Sequence, residues 1–269
     1  MKTVLDFQKS KSEKRAISMI TCYDYTSAQI VASSQADCIL VGDSLAMTMH
    51  GHTSTLDATP ELMALHVAAV RRGAPLKFIV GDMPFLAHRG SLDRTLDAVR
   101  VIMTAGAQAV KIEGFDGSEK TIAHIVQSGV PVMGHLGLTP QSVNQFGGFK
   151  VQATDPAARE WLLAQARGLE KAGAFSVVLE CVPSDVAAYV TERISIPTIG
   201  IGAGIGCSGQ VLVFQDLLGF NQNFKPRFVR RYLDGFNLVK DAIDHFDRDV
   251  KSGEFPSKEE SYASVGDKS

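Results

Sequence analysis

Residues 78–113 read FIVGDMPFLAHRGSLDRTLDAVRVIMTAGAQAVKIE, and their pattern decides the fold. A short apolar run at 78–82 gives way to an amphipathic stretch over 92–105, which stops at Gly106. A second apolar run follows at 109–113. Strand alternating with helix signals a parallel sheet covered on both sides. Glycine directly after the amphipathic stretch is the expected helix stop.

The same alternation extends in both directions. Further apolar, β-branched runs stand at 17–21, 38–42, 130–134, 175–180, 197–202 and 211–214, eight in all. Helices are predicted over 60–72, 118–128, 155–172 and 183–193, three of which stop at or just before Gly73, Gly129 and Gly173. Eight strands and no linker-like segment before residue 247 favour a single (β/α)8 TIM barrel over an open doubly wound sheet. The expected organisation is a catalytic barrel over 1–247 and a polar extension over 248–269, where the chain reads RDVKSGEFPSKEESYASVGDKS. There is no internal repeat.

Composition narrows the function classes. Of 269 residues, 45% are hydrophobic and 21% charged, which suits a globular protein with a sizeable core. A formal charge of -2 supplies no basic field for a polyphosphate backbone, so nucleic acid is not an expected partner. The apolar runs are far shorter than the roughly 20 residues of a membrane helix. The opening MKTVLDFQKSKSEKR is charged where a secretory signal needs an apolar stretch. A soluble cytoplasmic protein is therefore expected. Cys22, Cys38, Cys181 and Cys207 lack CxxC spacing, so they indicate neither a zinc site nor a disulfide framework.

In this fold, the C-terminal ends of the strands and the loops after them build the active site. Those positions include Asp43, Asp82, Glu113 and Glu180. One acidic residue closing a strand could simply cap the next helix or start a turn. Four converging on one mouth repel each other unless a cation or a proton relieves them. Oxygen ligands without a His/Cys cluster point to Mg²⁺. Lys111 lies two residues before Glu113 on one strand face, so both point into the barrel. It serves either as a Schiff-base amine or as a fixed cation for a substrate carboxylate. Glu180 is either a general base or a salt-bridged rim residue. His135 is either a donor to substrate or metal-bound water, or a hydrogen-bonded interior residue. The glycine run 200–204 stands where barrels often hold phosphate, but it is not GxGxxG.

Together the rim motifs resemble the ketopantoate hydroxymethyltransferase family over nearly the full chain. The resemblance is carried by TCYDYTSA at 21–28, LVGDSLAMTMHGH at 40–52, HVAAVRRGAP at 66–75, GDMPF at 81–85 and VKIEG at 110–114. It continues through PVMGHLGLTPQSVNQFGGFKVQ at 131–152, LECVP at 179–183 and IGIGAG at 199–204. The resemblance implies condensation of 2-oxoisovalerate with 5,10-methylenetetrahydrofolate to give 2-dehydropantoate and tetrahydrofolate, within pantothenate biosynthesis. It implies Asp43 and Asp82 as magnesium ligands, with Glu113 a third, directly or through water. Ser44 and Lys111 would hold the 2-oxo acid, with Asp43 and Asp82 close to it, and Glu180 would accept the proton. A homodecamer is also implied.

Two departures stand out. Ser208-Gly209-Gln210 replaces the family's usual Asp-Gly-Gln, and Glu260 precedes Ser261 where a His is usual. Both put loop packing around the site or the folate pocket in question. A rival enzymatic reading is a magnesium barrel of the isocitrate lyase and phosphoenolpyruvate mutase type, although the chain lacks a KKCGH-like motif. A rival from another class is a barrel that binds without catalysing, and the intact Asp43, Asp82, Lys111, Glu113 and Glu180 argue against it.

Overall fold

Eight parallel strands close on themselves in chain order: β1 (Ile17–Thr21), β2 (Cys38–Val41), β3 (Phe78–Asp82), β4 (Ala109–Glu113), β5 (Val132–Gly137), β6 (Ser176–Glu180), β7 (Thr198–Ile201) and β8 (Gly209–Leu212). The (β/α)8 barrel expected from the sequence is therefore the fold. The computed structural model describes residues 3–222 and 225–263. Among these, no helix is long and apolar enough to cross a membrane.

The strand read at 130–134 in fact runs Val132–Gly137. Pro131 at its start cannot donate to the ladder, and the strand continues through His135, which is thereby fixed within the sheet. The helices read from periodicity appear as Pro60–Gly73, Leu92–Thr104, Glu119–Gln127, Pro156–Lys171 and Ser184–Arg193. Asp155 starts one of them by accepting the Ala158 N–H at 2.9 Å. Gly134 lets the sheet sit close to that helix, because a Cβ there would press into the Leu169 side chain. No helix separates β7 from β8. The short connection instead lies against Ser184–Arg193, with Gly204 beside Ser184 and Gly206 beside Ala188. Of the glycine run 200–204, Gly204 serves this close packing.

Inward-facing residues alternate along each strand and divide the barrel interior into two halves. The lower half is apolar, holding Met19, Cys38, Phe78, Val80, Met133, Phe175 and Val211. It is closed from below by the helix Val4–Ser12, which the sequence reading did not find. Phe7 of that helix meets Phe78 and Phe175 edge-on, with ring centroids 5.4 and 5.1 Å apart. Lys11 fastens the plug by donating to the carbonyls of Thr191, Ile194 and Ile196 at 2.7–2.8 Å. The upper half is charged and carries the site.

The compact barrel unit ends at Phe214, and a second unit begins at Gln215. The expected boundary at residue 248 does not coincide with this division. The helix Gly235–Ser252 runs straight through residue 248, because Phe246 and Val250 keep the apolar i, i+4 spacing while the letters around them turn polar. Beyond the helix, Phe255 folds back on Phe246, with ring centroids 5.3 Å apart.

Candidate active site

Inward positions at the C-terminal ends of β3 to β6 supply Asp82, Lys111, Glu113, His135 and Glu180, and the turn after β2 adds Asp43 and Ser44. Register brings them together: Asp82 pairs with Lys111, and Glu113 pairs with His135. Lys111 Nζ lies 2.9 Å from Asp82 Oδ1, 3.8 Å from Glu113 Oε1 and 3.2 Å from His135 Nδ1. Asp43 joins through its backbone, whose N–H donates to Asp82 Oδ2 at 3.0 Å. Asp43, Asp82, Lys111, Glu113 and His135 are all buried.

His135 joins the two glutamates. Its Nδ1 lies 3.2 Å from Glu113 Oε1 and its Nε2 lies 3.3 Å from Glu180 Oε2. Glu180 is the more open of the two, with 17% of its side chain exposed against 4% for Glu113. The turn after β5 comes close beside it: Gly137 adopts φ +89°, and a Cβ there would collide with the Glu180 carbonyl. Ser44 is held from the other side, its hydroxyl 2.7 Å from Tyr23 Oη. Tyr23 is in turn anchored by His66, whose Nδ1 donates to the Tyr23 carbonyl at 2.5 Å.

The charges explain one another. Burial opposes a charged Lys111, but Asp82, Glu113 and Asp43 overcome it and raise the ammonium above its usual range. A lysine so firmly protonated is a fixed cation and a poor Schiff-base nucleophile. Burial and the Lys111 charge oppose protonation of His135, yet its contacts with Glu113 and Glu180 lift it to about 9. Glu113 is held below its usual range: burial works against this, but His135, Lys111 and the Gln141 N–H outweigh it. Asp82 is raised by burial in spite of Lys111. Asp43 is pushed well above the carboxylate range, first by burial and then by the charges of Asp82 and Glu113. Cys181, next to Glu180, is pushed up to about 11 by burial and that neighbouring charge, which suits a protonated thiol and no nucleophile.

Asp43 tests whether a cation fits. It is a buried carboxyl left short of positive charge beside two others, and its hard oxygens with those of Asp82 suit a divalent ion such as magnesium. Such an ion takes one or two carboxylates and keeps several waters. Among the described residues no group of three or more His, Cys, Asp or Glu side chains is arranged to hold a metal ion, so the protein would supply at most two direct ligands. Glu113 is already engaged by Lys111, His135 and Gln141, so it suits contact through water. The oxygens of Asp43 and Asp82 are thus of the kind that magnesium takes, and the residues present fit such an ion.

All six residues singled out from the sequence lie in this region, Ser44 through Tyr23 and Glu180 through His135. Gln141 was missed. Its backbone N–H donates to Glu113 Oε2 at 3.0 Å, and its side-chain Nε2 donates to Asp43 Oδ2 at 2.8 Å and to the Met83 carbonyl at 2.9 Å. An uncharged residue in a loop gives no signal by type, and only its place in GHLGLTPQ pointed toward the rim. Ser208 lies at the opposite end of the barrel. It exchanges hydrogen bonds with Thr198 at the start of β7, Thr198 N to Ser208 Oγ at 3.2 Å and Ser208 N to Thr198 Oγ1 at 3.1 Å. The first departure from the family pattern is thus remote from the mouth. The second is local to a turn, where Glu260 accepts the Ser257 N–H at 2.9 Å.

A family model described as ketopantoate hydroxymethyltransferase matches residues 1–258. The 3-methyl-2-oxobutanoate hydroxymethyltransferase of Bdellovibrio bacteriovorus is 59% identical over 263 residues, 98% of this chain and 100% of that protein. The enzyme of the same name from Coxiella burnetii is 57% identical over 94% of this chain and 96% of its own length. Solved structures share the barrel at much lower identity. Phosphonopyruvate hydrolase, in complex with oxalate and Mg²⁺, aligns at TM-score 0.62 and 11% identity over 97% of this chain and 93% of that one. Phosphoenolpyruvate phosphomutase from Streptomyces platensis subsp. rosaceus aligns at 0.61 and 12% over 97% and 92%. These two carry the fold of the rival magnesium barrels and nothing more specific. Sequence identity over the whole chain decides the matter: the chain belongs to the ketopantoate hydroxymethyltransferase family.

Proposed function

We propose that this barrel transfers a one-carbon unit from 5,10-methylenetetrahydrofolate to 2-oxoisovalerate, giving 2-dehydropantoate and tetrahydrofolate in a magnesium-dependent step of pantothenate biosynthesis. The observation that carries this reading is the contact of His135 with both Glu113 and Glu180, beside the Lys111–Asp82 pair. It sets a partly exposed carboxylate against His135, which also touches the glutamate beside Lys111, an arrangement suited to proton removal from a small oxo acid.

Magnesium held by Asp43 and Asp82 would supply a Lewis acid that stabilises negative charge on the oxo acid. Lys111 offers its ammonium, and Ser44 its hydroxyl, to the oxo acid's oxygens. The Glu180 carboxylate takes the proton from C3. The C3–H electron pair moves into the oxo-acid framework, and C3 then attacks the methylene carbon delivered by the folate. The bonds from that carbon to folate N5 and N10 break, and water supplies the new hydroxyl oxygen. The two nitrogens take up the proton held by Glu180 and one from water, so that tetrahydrofolate leaves. His135, protonated between the two glutamates, fixes Glu180 and keeps Glu113 ionised. Gln141 ties Glu113 to Asp43 so that the acidic groups keep their spacing. The family resemblance also supports a homodecamer working in the cytoplasm.

The test is formation of 2-dehydropantoate from 2-oxoisovalerate and 5,10-methylenetetrahydrofolate, with Mg²⁺ and with EDTA. The expected result is turnover that EDTA abolishes and Mg²⁺ restores. No turnover with Mg²⁺ present overturns the reading, and turnover indifferent to EDTA overturns its metal part.

A further inference from the structure

Beside Glu113 the barrel mouth opens into a cavity of about 690 Å³. That is the size range of a drug-like ligand, far more than a small oxo acid fills. Asp43, Asp82 and Lys111, which would hold the oxo acid, do not line it, but Glu113 and Gln141 do. The cavity therefore adjoins the acidic centre without being part of it.

Its walls have a consistent chemistry. Phe85, Phe115, Phe146 and Trp161 face it from the loops after β3, β4 and β5 and from the helix Pro156–Lys171. Trp161 is 55% exposed and Phe85 40% exposed, and the two stand together on the wall of one cavity rather than singly on the surface. Amide side chains of Asn144, Gln145 and Gln152 lie among these rings. Arg89 adds a cation: its Nε donates to His88 Nε2 at 3.1 Å, and its Nη1 donates to the Asp116 carbonyl at 2.5 Å. Burial and the Arg89 charge lower His88 to about 4, so it stays neutral and accepts that bond. Aromatic walls, amide groups and one rim cation together suit a planar heteroaromatic amide with an acidic tail.

We propose that this cavity seats the ring system of the reduced-folate carbon donor, with Trp161 and Phe146 as its stacking surfaces and Arg89 facing its carboxylates. The proposal rests on the reaction proposed above. A ring seated here abuts Glu113, and so presents its one-carbon unit next to the oxo acid, the close approach that a two-substrate condensation requires.

Trp161 is the one tryptophan in the chain, so its fluorescence reports on this cavity alone. Tetrahydrofolate, titrated into the intact enzyme, is expected to quench that emission saturably. Trp161→Ala and Phe146→Ala are expected to raise KM for methylenetetrahydrofolate about tenfold or more, with KM for 2-oxoisovalerate within about twofold, and Trp161→Phe to keep the donor KM near the parent value. Emission unmoved by saturating tetrahydrofolate overturns the proposal, as does an unchanged donor KM in both alanine variants. Exchange of the 2-oxoisovalerate C3 hydrogen in deuterated water needs no folate and separates the two readings. If the parent enzyme catalyses no exchange, the reaction itself is misassigned. If it exchanges but the cavity tests fail, only the donor site is misplaced.

Discussion

Asp82 on β3 and Lys111 on β4 are registered cross-strand partners whose side chains meet at 2.9 Å inside the barrel. This one contact makes the acidic mouth tolerable, because Lys111 is also the near neighbour of Glu113 and His135. Lys111→Met removes the cation and leaves buried carboxylates uncompensated, at a cost of about 3–5 kcal/mol. Urea unfolding of parent and variant in EDTA is expected to show that difference. Borohydride added with 2-oxoisovalerate is expected to leave the parent enzyme's mass unchanged, and a trapped adduct on Lys111 would contradict its role as a fixed cation.

The strands were legible because each is a short apolar run, and those runs carry the rim residues at their ends. Asp82, Lys111 and Glu113 could be named from position alone, since their strands were read with the observed ends. His135 was harder to weigh. A run ending at Gly134 left it just past the sheet, whereas the strand continues to Gly137 and turns its ring between Glu113 and Glu180. The plug helix Val4–Ser12 was hidden by its lysines, because nothing in a charged N-terminal stretch announces that Phe7 closes a barrel. The short β7–β8 connection was equally silent: nothing in its letters announces that Gly204 and Gly206 lie close against Ser184 and Ala188.

That plug gives a stability prediction. Phe7 is fully buried against Phe78 and Phe175, far from the charged half. Phe7→Ala is expected to cost about 3–5 kcal/mol and to lower Tm by roughly 10 °C in calorimetry. At a temperature where the variant is folded, KM for 2-oxoisovalerate is expected to match the parent. A change in KM without a change in Tm would mean that the plug acts on the site.

Ser208→Asp restores the residue usual in the family at the barrel end opposite the mouth. An aspartate can still accept the Thr198 N–H that Ser208 Oγ accepts now. Steady-state constants for both substrates are expected to stay within about twofold of the parent, the range of a substitution away from critical features. A larger change in the donor KM would show that this end communicates with the mouth.

His135 predicts a pH dependence. Its protonation midpoint is raised from 6.5 to about 9 in the folded chain, so the protonated ring binds its proton more tightly there than in the unfolded chain. The stability it contributes is full below about 6.5 and is lost as pH rises toward 9, a change of roughly 3 kcal/mol at about 1.4 kcal/mol per unit. Denaturant midpoints measured in EDTA between pH 6 and 10 are expected to fall through this window in the parent. They are expected to stay nearly flat in His135→Gln. A parent curve that is flat, or that rises, would exclude a protonated His135 between the glutamates.

Glu180 is the member of the acidic set with most access to solvent and with no backbone donor holding its carboxylate among the described contacts, whereas Glu113 accepts the Gln141 N–H at 3.0 Å. A base must give up its proton as readily as it takes one, and a partly open carboxylate suits that better than one locked by several donors. Glu180→Gln keeps the side-chain volume and removes the base. Exchange of the 2-oxoisovalerate C3 hydrogen in deuterated water, followed by proton NMR without folate, is expected to slow about 10²–10⁴-fold. Binding of the oxo acid itself is expected to persist, because Lys111, Ser44 and Asp82 are untouched. Exchange at the parent rate in this variant would remove Glu180 as the proton acceptor and leave it a rim residue that only positions His135.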